Sequence, residues 1–402
     1  METPDFVRSI RTEAVHAPSS GIVEVFNYGR GRQGLIPLWV GEGDMPTPTF
    51  IREAATRSLA AGETFYTHQL GLPELRSAIA EYMTRHYQSP FAGSTVPFDA
   101  NRFFVTTGGM HALHIAVRMV AGVGDEVLVP TPAWPNFVGA LSVCGALPVE
   151  VPLQMGGTGD NLAWHLDPGM LAAAITPRTR AIIINTPSNP TGWTGSLEEL
   201  SAVLELARAH DLWIIADEIY GRIVYDGGRA PSFHDLIGPN DKVMFVQTFS
   251  KNWAMTGLRC GWLEAPPDLA PIIENLVQYS TSGNSVPIQR AAIAAITRGE
   301  DFVAHQIARF AKSRTILCEG LRKTGKVRFA TPPGAFYLFA RFDGADDTRA
   351  LAIKMVDEAN VGVAPGTAFG AGGAPYVRIC FAPKPDDMQQ AVERISAWLA
   401  RL

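Results

Sequence analysis

Long apolar runs and basic clusters are both missing from the sequence. No uninterrupted apolar stretch reaches the roughly 20 residues that a membrane-spanning helix requires, so we expect no membrane partner. The chain has 34 Lys and Arg against 39 Asp and Glu, a formal net charge of −5, and no Lys/Arg-rich run, which argues against nucleic acid as a partner. The segment METPDFVRSIRTEAVHAP contains acidic residues and two prolines where a signal peptide needs a continuous apolar segment, so we expect a cytoplasmic protein.

Cysteine is scarce and is not clustered. Cys144, Cys260, Cys318 and Cys380 lie far apart and form no CxxC pair. The spacing therefore predicts neither a zinc site nor a disulfide framework, and we expect free thiols in a reducing compartment and no metal.

Short apolar segments rich in Val and Ile alternate with helix-like segments through the middle of the chain. With 402 residues, 47% of them hydrophobic, the chain is long enough for two domains and a substantial core. The alternation predicts an α/β fold in which helices sandwich a mostly parallel central sheet. The predicted strands are 102–107, 125–130, 180–185, 212–217 and 242–249, and the predicted helices include 109–121 and 196–211, the latter starting with a capping box of Ser196 and Glu199.

Composition divides the chain into three parts. The Pro/Gly-rich segment PLWVGEGDMPTP (37–48) separates an N-terminal arm, residues 1–48, from a large domain. After about residue 285 the alternation gives way to a long helical stretch, 287–323, and then to glycine-rich turns and short strands. We therefore expect a large domain over 49–286, and an interdomain helix with a smaller C-terminal α/β domain over 287–402, on which the arm packs.

Ligands of an open α/β sheet bind outside the carboxyl ends of its strands, so the residues after each predicted strand are candidates. After 102–107 a glycine pair opens a helix, where Gly109 and Met110 offer backbone N–H groups and a positive helix end to an anion such as phosphate, although such turns are common. The GxGxxG fingerprint is missing at this turn, which counts against a dinucleotide. Trp134 could stack on a flat ring, but a core tryptophan explains it better when it is taken alone. Asn189 could donate its amide to a ring oxygen, and a plain turn explains it equally well.

Asp217 and Lys251 are charged residues at the ends of two apolar strands. A buried carboxylate needs a partner, which a pyridinium N–H would supply, although a helix-capping aspartate is an equal explanation for one residue. Lys251 could form a Schiff base if nearby cations and partial desolvation deprotonate it, although a surface lysine is the default. Arg259 and the hydroxyls of Ser250 and Thr248 could bind a phosphate. Pyridoxal 5'-phosphate requires a side chain that stacks on its ring, an acid, an amide, an amine and an anion site. All five follow successive predicted strands, so we expect that cofactor.

Four motifs extend these observations to a family. SNPTG (188–192), ADEIY (216–220), SKNWAMTGLRCGW (250–262) and YVRICFA (376–382) occur in the order and at about the spacing of the class I/II aminotransferases. The chain resembles this family of fold-type I pyridoxal-phosphate enzymes, which includes aspartate aminotransferase, over nearly its whole length. The resemblance implies that an amino group moves between an L-amino acid and a 2-oxo acid by a ping-pong mechanism through aldimine and ketimine intermediates.

The resemblance also assigns roles to residues around the cofactor. Lys251 is similar to the lysine that forms the internal aldimine and moves a proton between Cα and the cofactor, and Asp217 to the aspartate that keeps the pyridine nitrogen protonated. Tyr220 and Asn189 would hydrogen-bond the ring oxygen, and Trp134 would stack on the ring. The catalytic set is then Lys251, Asp217 and Tyr220. The phosphate would be held by Gly109, Met110, Ser250 and Arg259, and by Tyr66 from a neighbouring subunit, which implies a homodimer with shared active sites.

Substrate binding is implied for a second group of residues. Arg378 resembles the arginine that grips the substrate α-carboxylate in a bidentate fork, which lysine could not do equally well. A surface arginine is the alternative, and the flanking YVRICFA pattern favours the functional role. Gly41 falls where the family places a small residue near the substrate, and a glycine lets the backbone approach a ligand closely. Ile22 and Asn189 would also border the substrate.

Two departures from the family pattern bear on the amino donor. Phe137 stands where relatives of aspartate aminotransferase often have a histidine behind the ring-nitrogen aspartate, and Met110 stands where some enzymes for acidic substrates have a lysine. No arginine in the sequence clearly corresponds to a residue that binds the side-chain carboxylate of a dicarboxylic substrate. Ile22, Met110 and Trp134 suggest an apolar pocket wall, so we expect a neutral or aromatic donor.

Two other functions are compatible with the sequence. A carbon–sulfur lyase that works by β-elimination is the main alternative, because PLWVGEGDM (37–45) resembles a segment of that related subgroup. The same cofactor geometry serves both reactions, and SNPTG and GLRCGW favour the aminotransferase. A regulator that kept the fold as a ligand-binding module is the third possibility, which the complete set of catalytic residue types disfavours.

Overall fold

The computed structural model describes residues 5–401, which form helices and strands in alternation through most of the chain. The strands are β1 (Ile36–Pro37), β2 (Phe103–Thr106), β3 (Glu126–Thr131), β4 (Leu147–Pro152), β5 (Gln154–Gly156), β6 (Ala163–His165), β7 (Thr179–Asn185), β8 (Trp213–Asp217), β9 (Val243–Thr248), β10 (Gly261–Glu264), β11 (Val327–Phe329), β12 (Tyr337–Phe342), β13 (Val361–Gly362), β14 (Ala364–Pro365) and β15 (Val377–Cys380).

The helices cover the strands and connect them. They are α1 (Asp5–Arg8), α2 (Thr12–Val15), α3 (Gly21–Gly29), α4 (Thr49–Ala60), α5 (Pro73–Tyr87), α6 (Gly108–Val120), α7 (Pro135–Cys144), α8 (Pro168–Ala174), α9 (Leu197–Ala209), α10 (Phe249–Asn252), α11 (Ala270–Gln278), α12 (Val286–Arg298), α13 (Glu300–Lys323), α14 (Thr348–Lys354) and α15 (Pro385–Leu399).

A seven-stranded sheet forms the centre of the molecule, in the order β2-β10-β9-β8-β7-β3-β4. Strands β4, β3, β7, β8 and β9 pair in parallel, and β10 is antiparallel to both of its neighbours, β9 and β2. All six residues of β9 are buried, as expected for a strand that is covered on both faces. The predicted α/β fold with a mostly parallel sheet is confirmed.

Local sequence signals explain where the helices on this sheet begin. Ser196 accepts a hydrogen bond from the Glu199 N–H at 3.1 Å, and the Ser196 N–H donates to the Glu199 carboxylate at 2.9 Å, so the predicted capping box starts α9. Leu200, Val203, Leu204 and Ala207 form the buried face of this helix. Their spacing of three and four residues is the periodicity that packs one side of a helix against a sheet.

The predicted helical stretch 287–323 is two helices rather than one. Helix α12 ends at Arg298 and α13 begins at Glu300, with Gly299 between them. A Cβ at Gly299 would lie 2.6 Å from the Trp253 ring, a separation that real Cβ atoms do not show. The glycine at this junction therefore allows the two helices to meet close to the Trp253 ring.

A second sheet, antiparallel and four-stranded, is built from the C-terminal part of the chain in the order β11-β12-β15-β14. Helices α13 and α15 pack against each other beside it. The N-terminal segment joins this region: β1 pairs in parallel with β13, and the Tyr28 hydroxyl donates to the Asp357 carboxylate at 2.9 Å. Residues 21–37 thus contact the C-terminal third of the chain.

Several global features follow from the described residues. Among residues 5–401, no helix is long and apolar enough to cross a membrane, and no group of His, Cys, Asp and Glu could hold a metal ion. All four cysteines are free thiols. The peptide bonds before Pro132, Pro187 and Pro190 are cis, which the turn-like composition around them did not lead us to expect.

Candidate active site

A cavity of about 520 Å³ opens where β7, β8 and β9 end, at Asn185, Asp217 and Thr248. This is the edge at which open α/β sheets bind their ligands. The residues around it come from both sheets, from α3 and from the segment after β1. They are Ser20, Ile22, Val23, Phe26, Trp39, Val40, Gly41, Glu42, Gly109, Met110, Trp134, Pro135, Asn136, Asn185, Asn189, Asp217, Ile219, Tyr220, Val246, Thr248, Ser250, Lys251, Thr256, Arg259, Tyr337 and Arg378.

Lys251 enters this cavity from the short helix α10, directly after β9. Its Nζ donates a hydrogen bond to the carbonyl oxygen of Gly41 at 2.8 Å. Burial lowers the pKa of Lys251 to about 8, with a further contribution from the Arg378 guanidinium. A lysine in this state supplies a neutral amine near neutral pH far more readily than a lysine in water does.

Asp217 lies at the end of β8 and is 2% exposed. Its carboxylate accepts a hydrogen bond from the Ile219 N–H at 3.3 Å. Burial raises the pKa of Asp217 to about 7, because the charged form has lost its hydration. Phe137 is buried and packs edge-on against Trp134 at 5.6 Å between ring centroids. An apolar ring therefore occupies the position that the family pattern often gives to a histidine.

The first turn of α6 and the segment after β9 form an anion cradle, defined here as Gly108, Gly109, Ser250 and Arg259. The Ser250 hydroxyl lies 2.9 Å from the Thr248 hydroxyl and 3.5 Å from Nη1 of Arg259. Gly108 has φ +77°, and a Cβ there would lie 2.4 Å from the Arg259 guanidinium. The glycine thus leaves the room in which a helix N-terminus and a guanidinium can face the same anion.

Arg378 reaches the opposite side of the cavity from β15 and is 2% exposed. Its Nη1 donates to Oδ1 of Asn189 at 3.0 Å, and its Nη2 donates to the carbonyl oxygen of Trp39. Its guanidinium lies 4.7 Å from the centroid of the Tyr337 ring and 5.0 Å from that of Phe369. Its Nε has no hydrogen-bond partner among the described residues. These contacts hold a charged fork in a fixed orientation at the cavity wall.

Tyr220 and Tyr337 place two hydroxyls side by side at the cavity. Their oxygens lie 2.8 Å apart, and both side chains are fully buried. Burial raises the pKa of both phenols well above their usual value, so both are neutral hydrogen-bonding groups. A Cβ at Gly41 would lie 2.2 Å from the Tyr337 hydroxyl oxygen, which explains in physical terms why a glycine stands there.

Apolar side chains from two helices form the remaining wall. Ile22, Val23 and Phe26 come from α3, and Met110 comes from the first turn of α6. The Met110 sulfur accepts a hydrogen bond from the Asn136 amide at 3.4 Å.

With one exception, the residues that the sequence singled out as site candidates all line this cavity. The exception is Tyr66, which is 93% exposed and lies outside it. The cavity also contains Thr248, whose hydroxyl the sequence suggested for phosphate binding, and residues that sequence reasoning missed, among them Asn185 and Tyr337. Asn185 is the last residue of a predicted strand and could have been found, because ligands of such sheets bind at the carboxyl ends of the strands. Tyr337 comes from the second sheet and carries no motif, so no sequence signal pointed to it.

Comparison with known proteins decides the family. Residues 34–395 match the model of the family described as aminotransferase class I and II. The chain belongs to the class I and II aminotransferases. The aminotransferase is 33% identical to the aromatic-amino-acid aminotransferase 2 of Thermococcus litoralis and 34% identical to the aspartate aminotransferase of Pyrococcus abyssi, each match covering 94% of both chains. The solved structure of the Thermus thermophilus aspartate aminotransferase with maleate superimposes with a TM-score of 0.86 at 32% identity, over 97% of this chain and 99% of that one.

Membership in this family makes the protein a pyridoxal-phosphate-dependent enzyme that transfers an amino group between an amino acid and a 2-oxo acid. The residues of the cavity fit that cofactor. The anion cradle suits its phosphate, the buried Asp217 carboxylate needs a cationic N–H partner, and the Lys251 amine is available for a Schiff base. Nothing in the comparisons favours the carbon–sulfur lyase.

Proposed function

We propose that this aminotransferase takes its amino group from a neutral or aromatic L-amino acid. The observation that carries the proposal is the cavity wall: Ile22, Val23, Phe26 and Met110 present apolar surface toward the open volume. Among the described residues that line the cavity, the cations are Lys251, Arg259 and Arg378. If these three residues act on the α-carbon proton, the phosphate and the α-carboxylate, none of them is left to pair with the side chain of an acidic donor. Its relatives are named both aromatic-amino-acid and aspartate aminotransferases, so their names do not choose between the two donor classes. The apolar cavity wall is the feature that favours a neutral or aromatic donor over an acidic one.

The roles that we propose for the cofactor-binding residues follow from their chemistry. The anion cradle, with the backbone N–H of Met110, binds the phosphate, and Asp217 holds the ring nitrogen in its protonated form. Tyr220 and Asn189 donate hydrogen bonds to the ring oxygen, and Trp134 packs on the ring face. When bound, the cofactor supplies an electron sink that acidifies the α-C–H bond of the amino acid.

Two residues act directly on the amino acid in this proposal. Arg378 binds the α-carboxylate, and its contacts with Asn189 and Trp39 fix the orientation of its fork. Lys251 removes the proton from the α-carbon with Nζ and later returns one. Its lowered pKa keeps the neutral amine accessible near neutral pH for this task. Gly41 and Ile22 border the substrate on the side of the N-terminal segment.

We also propose a homodimer in which Tyr66 reaches the phosphate site of the neighbouring subunit. Tyr66 is 93% exposed and stands beside Phe65, which is 85% exposed, so two adjacent aromatic side chains face away from this chain's own core. Large exposed aromatic groups mark interaction surfaces. Light scattering of the eluting protein gives the subunit number, and Tyr66→Phe should weaken binding of the phosphate cofactor without changing that number.

We also propose a division of the chain into three parts and a cytoplasmic location. We take residues 1–48 as an arm that packs on the small domain, 49–286 as the large cofactor domain, and 287–402 as the interdomain helix with the small domain; residues 1–4 and 402 lie outside the described part. The contacts of α3 and β1 with the C-terminal region support this division. We place the enzyme in the cytoplasm, where its four free thiols stay reduced.

The donor class can be tested with half-reactions. Purified holoenzyme is mixed with single amino acids in the absence of any 2-oxo acid, and the absorption of the bound cofactor is followed. We expect aromatic and neutral aliphatic donors to convert the spectrum, and a 2-oxo acid to restore it. Conversion by aspartate and glutamate alone would refute the proposed donor class. Persistent colour with release of pyruvate and ammonia from a cysteine-like donor would establish the lyase instead.

A further inference from the structure

A second set of buried polar groups lies directly behind Asp217. Glu218, the next residue, does not line the cavity, is 2% exposed, and points to the other side of the strand end. Its Oε2 accepts a hydrogen bond from the Ser232 hydroxyl at 2.7 Å, and its Oε1 accepts one from the Phe233 N–H at 3.2 Å. The chain thus places one buried carboxylate at the cavity and a second one, with its own donors, immediately adjacent.

The hydrogen bonds continue from Ser232 to a buried histidine. The Ser232 oxygen lies 2.9 Å from Nδ1 of His234, and Nε2 of His234 lies 3.0 Å from Oε2 of Glu264. Glu264 Oε1 in turn accepts from Nε of Arg102 at 3.1 Å. We call Glu218, Ser232, His234, Glu264 and Arg102 the buried relay. The His234 ring is stacked on Phe245 at 3.8 Å between centroids, which holds its two nitrogens in line with their partners.

Counting protons along the relay gives two arrangements with the same net charge. In the first, Glu218 is an anion, the Ser232 hydroxyl donates to it, and His234 is a cation that donates from both nitrogens. In the second, the Nδ1 proton has moved to the Ser232 oxygen while the hydroxyl proton has moved to Oε2 of Glu218. Glu218 and His234 are then both neutral, Glu264 remains an anion, and no proton has entered or left.

We propose that this relay is a positioning device for the active site, in which Glu218, through Ser232 and His234, sets whether a negative charge stands beside Asp217. A second negative charge at this place favours a protonated cofactor ring nitrogen, because it adds to the field of Asp217. Phe137, at the sequence position where the family pattern often has a histidine, carries no hydrogen-bonding group. The inference rests on the role proposed above for Asp217.

Both positive and negative groups face Glu218, so its charge in the buried relay depends on the balance between them. Burial raises the pKa of Glu218 to about 7, and His234 opposes this shift. From the same segment, Asp235 adds negative charge, and Arg229 pairs with Asp235 at 2.6 Å. The other titratable groups around Glu218 come from other elements, and they are Tyr87 of α5, Glu264 of β10, Arg102 and Asp217. Burial also acts to raise the pKa of Glu264, but His234 and Arg102 outweigh it and leave that pKa below its usual range, so Glu264 anchors the far end as an anion.

Two substitutions and a control test the relay in the holoenzyme. Glu218→Gln removes the charge while keeping the shape of the side chain, and Ser232→Ala cuts the path between Glu218 and His234. Glu300→Gln is the control, because it removes another partly buried carboxylate, one that is bound to Arg222 and His86 and has no hydrogen bond to the relay. The readouts are the 15N resonance of the ring nitrogen in protein loaded with 15N-labelled pyridoxal phosphate, and the pH midpoint of the cofactor's visible absorption.

In Glu218→Gln we expect the ring-nitrogen resonance to move toward its deprotonated position and the absorption midpoint to fall by about one pH unit, the lower end of the effect of a nearby charge. Ser232→Ala should shift both readouts in the same direction by a smaller amount, and Glu300→Gln should shift neither. Unchanged readouts in Glu218→Gln would overturn the relay, and if that variant does not fold, unchanged readouts in Ser232→Ala would do so. An unprotonated ring nitrogen in the unmodified enzyme would instead refute the role of Asp217.

Discussion

Replacing Gly41 with alanine would put a methyl group where the Tyr337 hydroxyl already lies. The new Cβ would be 2.2 Å from the hydroxyl oxygen and 3.2 Å from Cζ of the same ring. Tyr337 is fully buried, and its hydroxyl lies 2.8 Å from that of Tyr220, so it cannot move aside without disturbing a second active-site residue. The Gly41 carbonyl also holds Lys251 Nζ at 2.8 Å, so a backbone shift would displace the lysine.

The size of the effect follows from these contacts. Overpacking of a well-packed interior costs about 1–3 kcal/mol of unfolding free energy, and we expect Gly41→Ala to fall in that range. Tyr337→Phe removes the hydroxyl that the methyl would meet, but it takes a hydrogen-bond partner from Tyr220 at a cost of about 1 kcal/mol. In the double variant the nearest ring atom is Cζ at 3.2 Å, a contact that a shift of a few tenths of an ångström relieves. The double variant should therefore lose at least about 1 kcal/mol less than the sum of the single losses.

Urea denaturation of the cofactor-free protein, followed by tryptophan fluorescence, measures these three free energies, and kcat/KM with the best donor measures the effect on Lys251. We expect Gly41→Ala to lower both stability and kcat/KM, and Tyr337→Phe to restore part of the stability in the double variant. If Gly41→Ala is as stable as the unmodified protein, or if the two losses simply add, the packing argument for Gly41 is wrong.

Three further predictions follow from the site. Arg378→Lys should lower kcat/KM by about 10- to 100-fold through loss of a charge-assisted fork, whereas Arg314→Lys, an arginine that binds the Pro332 carbonyl away from the cavity, should leave kcat/KM unchanged. Gly108→Ala should weaken pyridoxal phosphate binding about tenfold, measured by fluorescence quenching of the cofactor-free protein, because φ is +77° and the Cβ meets Arg259; unchanged affinity would contradict the cradle. Burial raises the pKa of Asp217 to about 7 in the folded protein, whereas an aspartate in the unfolded chain has a pKa of about 4, so the cofactor-free protein should lose stability as pH rises from about 4 to 7. Melting temperatures across this range should fall less steeply for Asp217→Asn, and parallel curves would refute the raised pKa.

Much of the large sheet could be predicted from the sequence, because its strands are short apolar runs with polar ends. The segment 212–217 corresponds to β8 (Trp213–Asp217), and 242–249 corresponds to β9 (Val243–Thr248). The residues that follow these strands could also be predicted to lie close together, because parallel strands end at one edge of the sheet. Antiparallel β10 was not predicted, since it follows β9 across the Lys251 segment without an intervening long helix.

The features that the sequence did not predict depend on contacts between distant parts of the chain. The Trp253 ring lies beside the junction at Gly299, and the position of Tyr337 in the cavity depends on how the second sheet packs against the first. The buried relay is another case, because Glu218, His234 and Glu264 are separated by 16 and 30 residues and meet only in the fold. Spacing along a sequence carries no signal for groups that are joined in this way.

The proposed active site is tested most directly by identifying the lysine that binds the cofactor. Holoenzyme is reduced with borohydride, digested, and analysed by mass spectrometry for the phosphopyridoxyl group. We predict one modified site per chain, at Lys251, and no modification in Lys251→Ala. A label on any other lysine, or none on the intact protein, would contradict the assignment on which the whole active site rests.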